Sequence, residues 1–210
     1  MFATVQNPIK DFIESCNINS LIHFTKLENL PSILKNGLVS RQQLDSEGID
    51  YLFNDEYRMD GKYNSICLSI SFPNYRMFYK YSKSNRDKWC IIFLNPSILY
   101  EKNCLFCIEN AASTNETNRS DSEKKGINGL KKLFEDIPYR SKVNLPSHFT
   151  TNSQAEVLVL ENIEPKYIQY ICVNHRNVKF NHEDYSDFKF YYGKTYDGFF
   201  SPRYDYENGR

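Results

Sequence analysis

Apolar residues along this chain recur with two different periods, and the places where the period changes lay out a series of short helices and strands. Ile9, Phe12, Ile13 and Cys16 fall at i, i+3, i+4 and i+7 behind Pro8, the spacing of an amphipathic helix with proline in its first turn. Residues 21–25 read as a first strand. Leu30, Ile33 and Leu34 share one face of a short helix over 28–36, and Gly37 stands just past its end. The segment 40–64 is polar, is broken by Gly48 and Gly61, and predicts loop or irregular helix. Strand patterns return at 65–72 and 88–94, the second carrying Trp89, Ile91, Ile92 and Phe93. Pro96 opens a short helix, 111–126 is polar enough to predict a mobile loop, and 130–137 is another short helix. Strands follow at 156–160 and 167–173, joined through Ile163, Glu164 and Pro165.

Short strands with few long helices predict an α+β fold around a mixed or antiparallel sheet. At 210 residues the chain is expected to form a single domain, its core at about 8–173 and an aromatic-rich extension at 174–210. There is no internal repeat, no GxGxxG and no Walker loop, so neither a Rossmann nor a P-loop fold is supported.

Composition narrows the function classes only a little. Lys plus Arg and Asp plus Glu both count 26, so bulk charge names no partner and any basic surface must be local. Sixteen Tyr and 15 Phe fill a β-rich core, line a nucleic-acid surface, or both. The six Cys follow no small-scaffold disulfide pattern, and the first ten residues lack the apolar run of a signal peptide, so a cytoplasmic protein with reduced thiols is expected. Cys104 and Cys107 have the spacing of half a zinc site without a second half, so no metal is expected. No stretch approaches the apolar length of a membrane span.

Four places offer chemistry. Gln154 and Glu156 sit where a polar loop enters an apolar strand; most such carboxylates are merely solvated, yet one placed at a sheet rim can also act on a ligand. His23, Phe24 and Thr25 lie on the first strand, where a core histidine satisfied by hydrogen bonds is the competing explanation. Arg58 sits among acids in the polar segment, as a solvated ion-pair partner or as a fork for a pyrophosphate. Ser69 and Ser71 alternate with apolar neighbours, so both hydroxyls are expected on one face of their strand.

These boxes, taken with the segment from Glu28 to Leu38 and with Tyr57, Met59, Asp60, Pro73, Asn74 and Tyr75, resemble in order and spacing DarT, the DNA ADP-ribosyltransferase toxins. The resemblance runs from about residue 21 to residue 173. It implies an ADP-ribosyltransferase fold related to the poly(ADP-ribose) polymerases, with NAD in the cleft of a split sheet. Carried onto this chain, it gives His23, Phe24 and Thr25 contacts to the nicotinamide side and Asn29, Ser69 and Ser71 a share in holding the nucleotide. Arg58 matches the essential arginine and Glu156 the catalytic glutamate, while Gln154 falls in the loop that touches the target. A cognate antitoxin is implied, of macrodomain type or another ADP-ribosyl-DNA glycohydrolase, with the toxin itself a monomer. The residues around Arg58 look closer to a guanosine-modifying sister group than to thymidine-modifying members.

The chemistry then expected is cleavage of the nicotinamide glycosidic bond through an oxocarbenium-like ribose, with a base nitrogen as nucleophile and Glu156 as its proton acceptor. Between positions 76 and 88, Arg76, Lys80, Lys83, Arg86 and Lys88 interleave with Phe78, Tyr79 and Tyr81 next to Tyr75, a pattern suited to single-stranded DNA. Lys124, Lys125, Lys131, Lys132, Arg140 and Lys142 form a second basic run. A solvated surface explains either run equally well. An ADP-ribosyltransferase acting on RNA or protein, and a non-enzymatic nucleic-acid-binding module, are the competing functions.

Overall fold

The computed structural model describes residues 7–53, 61–136, 138–173, 185–192, 198–199 and 203. Its centre is a seven-stranded sheet in the order β4-β5-β2-β1-β3-β6-β7. The strands are β1 (Leu21–Lys26), β2 (Ile66–Ile70), β3 (Trp89–Leu94), β4 (Cys104–Cys107), β5 (Glu156–Val159), β6 (Ile168–Val173) and β7 (Phe190–Tyr191). Every described pairing is antiparallel except β6 with β7, so the sheet is mixed.

All six residues of β3 are buried, because both faces of the sheet are covered there. Cys90, Ile92 and Leu94 face the larger core, into which α1 (Pro8–Ser15), α2 (Leu30–Asn36), α5 (Ile98–Glu101) and α7 (Gly126–Lys132) pack apolar residues. Trp89, Ile91 and Phe93 face the other side, where Phe78 of α4 (Tyr75–Ser82) covers them. The remaining helices are α3 (Arg41–Glu47), α6 (Thr114–Asn118) and α8 (Pro138–Lys142).

Helix ends follow from local chemistry. Asn7 caps α1 by accepting from the amides of Ile9 and Lys10. Ser40 caps α3 in the same way, and Gly48 closes it in the left-handed region at φ 64°, so the first part of the polar 40–64 segment is an ordered helix. At Gly37 the reason for glycine is contact: an added Cβ would lie 2.1 Å from the Ile163 carbonyl, and Leu38 and Ile163 exchange backbone hydrogen bonds at 2.9 Å immediately beyond.

Several sequence expectations need correction. The 111–126 stretch is not an open loop: it contains α6 and buries Glu116 and Lys124, so its polar residues satisfy one another rather than solvent. Lys124 and Arg140 leave the second basic run for the same reason, Arg140 donating to the carbonyls of Pro146, Ser147 and Phe149. Cys104 and Cys107 lie on strand β4 in separate apolar clusters, and burial pushes both thiols up to about 12. Among the described residues no cluster of ligands could hold a metal, and no helix is long and apolar enough to cross a membrane. Part of the C-terminal extension completes the sheet as β7.

Candidate active site

The sheet forks between β1 and β2. β1 pairs with β3 along its whole length, but with β2 only at Leu21↔Ile70 and Ile22↔Ser69. Beyond that point the strands part, and His23 spans the gap with Nδ1 at 3.0 Å from the Cys67 carbonyl. A carbonyl oxygen can only accept, so Nδ1 carries a proton and donates it to the Cys67 carbonyl. A splayed pair of strands leaves backbone groups that need partners, and a side-chain ring supplies one here without closing the gap.

The fork opens into a cavity of about 240 Å³, lined by His23, Phe24, Thr25 and Asn29 on one side and by Ile66, Cys67, Leu68 and Ser69 on the other. Ile49, Asp50, Tyr51, Leu52 and Phe53 supply a further wall. Asn29 fixes that wall: its Nδ2 donates to the Leu52 carbonyl at 2.7 Å and to Thr25 Oγ1 at 3.0 Å, while its Oδ1 accepts from the Leu52 amide at 2.9 Å. Arg41 lies 5.3 Å from the Phe53 ring.

Glu156, the first residue of β5, also lines the cavity and is 6 % exposed. Its Oε2 accepts from the Ala111 amide at 2.9 Å, and its Oε1 from Asn74 Nδ2 at 3.4 Å. Asn74 is itself pinned: its amide donates to Ser69 Oγ at 3.1 Å, and its Oδ1 caps α4 through the Met77 amide at 3.3 Å. A buried carboxylate held by aimed donors keeps one orientation toward the cavity, as a group acting on a bound ligand requires.

The structure therefore brings together His23, Phe24, Thr25, Asn29, Ser69 and Glu156. Arg58 lies outside the described residues, as do Tyr57, Met59 and Asp60. Ser71 separates from Ser69: β2 ends at Ile70, Ser71 adopts φ 61°, and strand alternation stops before it reaches the second hydroxyl. Ser71 is not among the residues lining the cavity. Gln154 is half-buried on the turn before Glu156, its amide donating to Asn152 Oδ1 at 2.9 Å.

On α4, Arg76, Tyr79 and Lys80 face solvent, whereas Tyr75 is buried and Phe78 packs 4.8 Å from Phe24. Two of the aromatic rings assigned to nucleic acid thus belong to the interior. Asn74 and the Ala111 amide were missed. Beyond its place in the family resemblance, the sequence signal for Asn74 is its position between Pro73 and an apolar periodic run, that of a helix cap.

A family model described as "DarT: ssDNA thymidine ADP-ribosyltransferase, DarT" matches residues 22–185. No curated protein matches the chain. Among solved structures, DarTG of Thermosipho africanus in complex with ADP-ribose is similar at TM-score 0.61 and 20 % identity, covering 88 % of this chain and 52 % of that one. The chain therefore spans about half the length of that protein. DarT of Thermus sp. 2.9 in complex with carba-NAD+ is similar at TM-score 0.56 and 14 % identity, over 85 % of this chain and 97 % of that one. The same DarT in complex with ADP-ribosylated ssDNA gives 0.50 and 13 %, over 86 % and 96 %. At such identities the likeness is one of fold, and the family model supplies the rest: the chain belongs to DarT, the ssDNA thymidine ADP-ribosyltransferase family.

Proposed function

We propose that this chain is the toxin of a toxin–antitoxin pair and transfers ADP-ribose from NAD to a nucleobase of single-stranded DNA, guanine in preference to thymine, releasing nicotinamide. The observation that carries the reading is the Glu156 carboxylate, buried and aimed by Asn74 and the Ala111 amide into the same cavity as His23, Thr25 and Asn29. Family membership, and the NAD analogue and ADP-ribosylated DNA bound by relatives of the same fold, support it. The whole chain acts as one monomeric catalytic domain, and it works in the cytoplasm, where its antitoxin neutralises it or removes the mark.

The cavity suits the nicotinamide end of the dinucleotide: apolar side chains, the His23 ring, and the hydroxyl residues Thr25 and Ser69 on opposite walls. Arg58 neutralises the pyrophosphate. Glu156 holds the 2′-hydroxyl, faces the positive charge growing on the ribose and takes the proton of the attacking nitrogen. The bond from C1′ to nicotinamide breaks with its electron pair leaving on nicotinamide, and the bond from C1′ to the base nitrogen forms. Arg76, Tyr79 and Lys80 on the outer face of α4 supply charge and one stacking ring to the strand. The residues around Arg58 support guanine.

The test is mass analysis of short single-stranded oligonucleotides of defined base composition after incubation with NAD. An ADP-ribose adduct confined to guanine-containing strands is expected. An adduct on thymine alone overturns the base assignment, and an adduct on RNA or protein with none on DNA overturns the target.

A further inference from the structure

The turn that leads into Glu156 is gripped by two arginines, one from the helix just before it and one 53 residues beyond Thr150. Arg140 of α8 donates through Nη1 to the Phe149 carbonyl at 2.7 Å and to Thr151 Oγ1 at 3.3 Å. Its Nη2 donates to the carbonyls of Pro146 at 3.1 Å and Ser147 at 3.2 Å. Arg203 comes from the C-terminal extension and is 2 % exposed. Its Nη1 donates to the Thr150 carbonyl at 2.7 Å and to Thr150 Oγ1 at 3.4 Å, and its Nη2 to the Thr151 carbonyl at 3.3 Å. The guanidinium lies 5.4 Å from the Phe149 ring. Phe199 seats the same extension, 5.7 Å from Phe72 and 5.1 Å from Phe93.

A buried guanidinium carries a desolvation penalty that an apolar plug of the same size would avoid. What the planar fork adds is direction: it fixes the carbonyls of two consecutive residues, and hence the path of the backbone that follows them. That backbone carries Gln154 and then Glu156. Glu156 has its own anchors in Asn74 and Ala111, whereas the described contact of Gln154 is a local turn bond to Asn152. The arginine grip therefore bears more on the turn that carries Gln154, which precedes the cavity-lining Glu156 in the chain, than on the carboxylate itself.

We propose that Arg203 is a positioning residue for the acceptor, holding the 150–154 turn so that a nucleobase rather than water meets C1′ of the ribose. The inference rests on the transfer reading given above. In both reactions the bond from C1′ to nicotinamide breaks and Glu156 takes the proton of the incoming group. With a base nitrogen the product is ADP-ribosylated DNA, and with water it is free ADP-ribose. A displaced turn lets the second reaction proceed while the first loses its alignment.

The experiment compares full-length wild type, Arg203→Met and Arg203→Lys by two rates: nicotinamide release without DNA, and formation of ADP-ribosylated oligonucleotide. In Arg203→Met, transfer is expected to fall roughly 10²-fold while hydrolysis stays within about twofold, with Arg203→Lys intermediate. A purely stabilising role lowers both rates in proportion to the folded fraction, so an unchanged ratio overturns the proposal. If Arg203→Met does not fold, the ratio in Arg203→Lys decides alone. If wild type itself yields no modified oligonucleotide, the proposed activity fails rather than the grip. Amide hydrogen exchange over 150–155 then decides the grip, and equal protection in wild type and Arg203→Lys overturns it.

Discussion

Two buried glutamates flank the turn from Ile108 to Ala111, and they differ in everything except burial. Glu116 is 1 % exposed; its Oε1 accepts from the Ile108 amide at 2.7 Å, and Arg119 Nη1 bridges both its oxygens at 2.8 and 2.9 Å. Lys124, itself buried, stands 3.9 Å away. Glu156 grips the other end of that turn through the Ala111 amide, but its described donors are neutral and it faces the cavity. Burial alone does not separate a structural carboxylate from a chemical one. What distinguishes them among the described contacts is the partner chemistry: Arg119 bridges Glu116 with Lys124 close by, whereas the described donors to Glu156 are a backbone amide and a carboxamide that hold it on the cavity wall.

Replacing Glu156 by Gln breaks the comparison most sharply. The amide preserves size but keeps a single acceptor oxygen, so with that oxygen toward the Ala111 amide its NH2 group meets the Asn74 donor; the melting temperature is expected to fall by a few degrees while transfer falls by about 10²- to 10⁴-fold. Nicotinamide release and oligonucleotide mass read the rate, and circular dichroism reads the fold. A variant that melts early but transfers normally would make Glu156 a second Glu116.

The reciprocal change, Glu116→Gln, leaves Arg119 and the buried Lys124 without their counter-charge. Breaking a buried ion pair from one side costs on the order of 3–5 kcal/mol, which for a chain of this size lowers the melting temperature by roughly 10 °C. The rate per folded molecule should change far less, because Ala111 sits in a turn also closed by the Ser113 amide on the Asn110 carbonyl at 2.9 Å and the Ala112 amide on Asn110 Oδ1 at 3.0 Å. A large rate loss without thermal loss would show that Glu116 acts through Ala111 on the chemistry.

How much of this was legible in the sequence depends on how far each contact reaches along the chain. His23, Thr25 and Glu156 stand on strands whose apolar pattern is local, so residue type and place made them candidates beside blander explanations; the family resemblance singled them out and added Asn29 in the turn beside them. The donors to Glu156 are invisible to that reasoning, since Asn74 and Ala111 reach it across 82 and 45 positions. Glu116, Arg119 and Lys124 misled in the opposite direction. A polar segment with no apolar period reads as solvated loop, and only the fold shows that its charges cancel internally. Arg203 was hidden for both reasons at once: it reaches back 53 positions to Thr150 from a tail that has no period of its own.

Asn74 ties the site to α4 and predicts a middle-sized effect. Asn74→Ala removes the helix cap, at about 1 kcal/mol, together with one donor to Glu156. Transfer is expected to fall on the order of tenfold, the loss lying in turnover rather than in the KM for NAD. Asn74→Asp keeps the cap but sets a second buried carboxylate against the first, so it should lower the melting temperature despite the cap and still lose rate. Recovery of rate in Asn74→Asp would mean that the cap alone mattered.

The smallest effect belongs to the charge pair at the outer edge of the Glu116 segment. Lys62 Nζ lies 2.6 Å from Asp121 Oδ2, and that hydrogen bond, reinforced by the charges of Lys62, Lys124 and Lys125, holds the Asp121 carboxyl below its ordinary value. A carboxyl depressed in the folded state adds stability above its unfolded pKa, and that stability drains away as pH falls through the lower, folded value. The loss should therefore begin below about pH 4. Both side chains are substantially exposed, at 32 % and 43 %, so solvent screening keeps the contribution under about 1 kcal/mol. Asp121→Asn should flatten only that acid limb of the melting profile and leave neutral-pH activity intact. An Asp121→Asn effect at pH 7 as large as that of Glu116→Gln would mean that the surface pair, rather than the buried cluster, organises this side of the cavity.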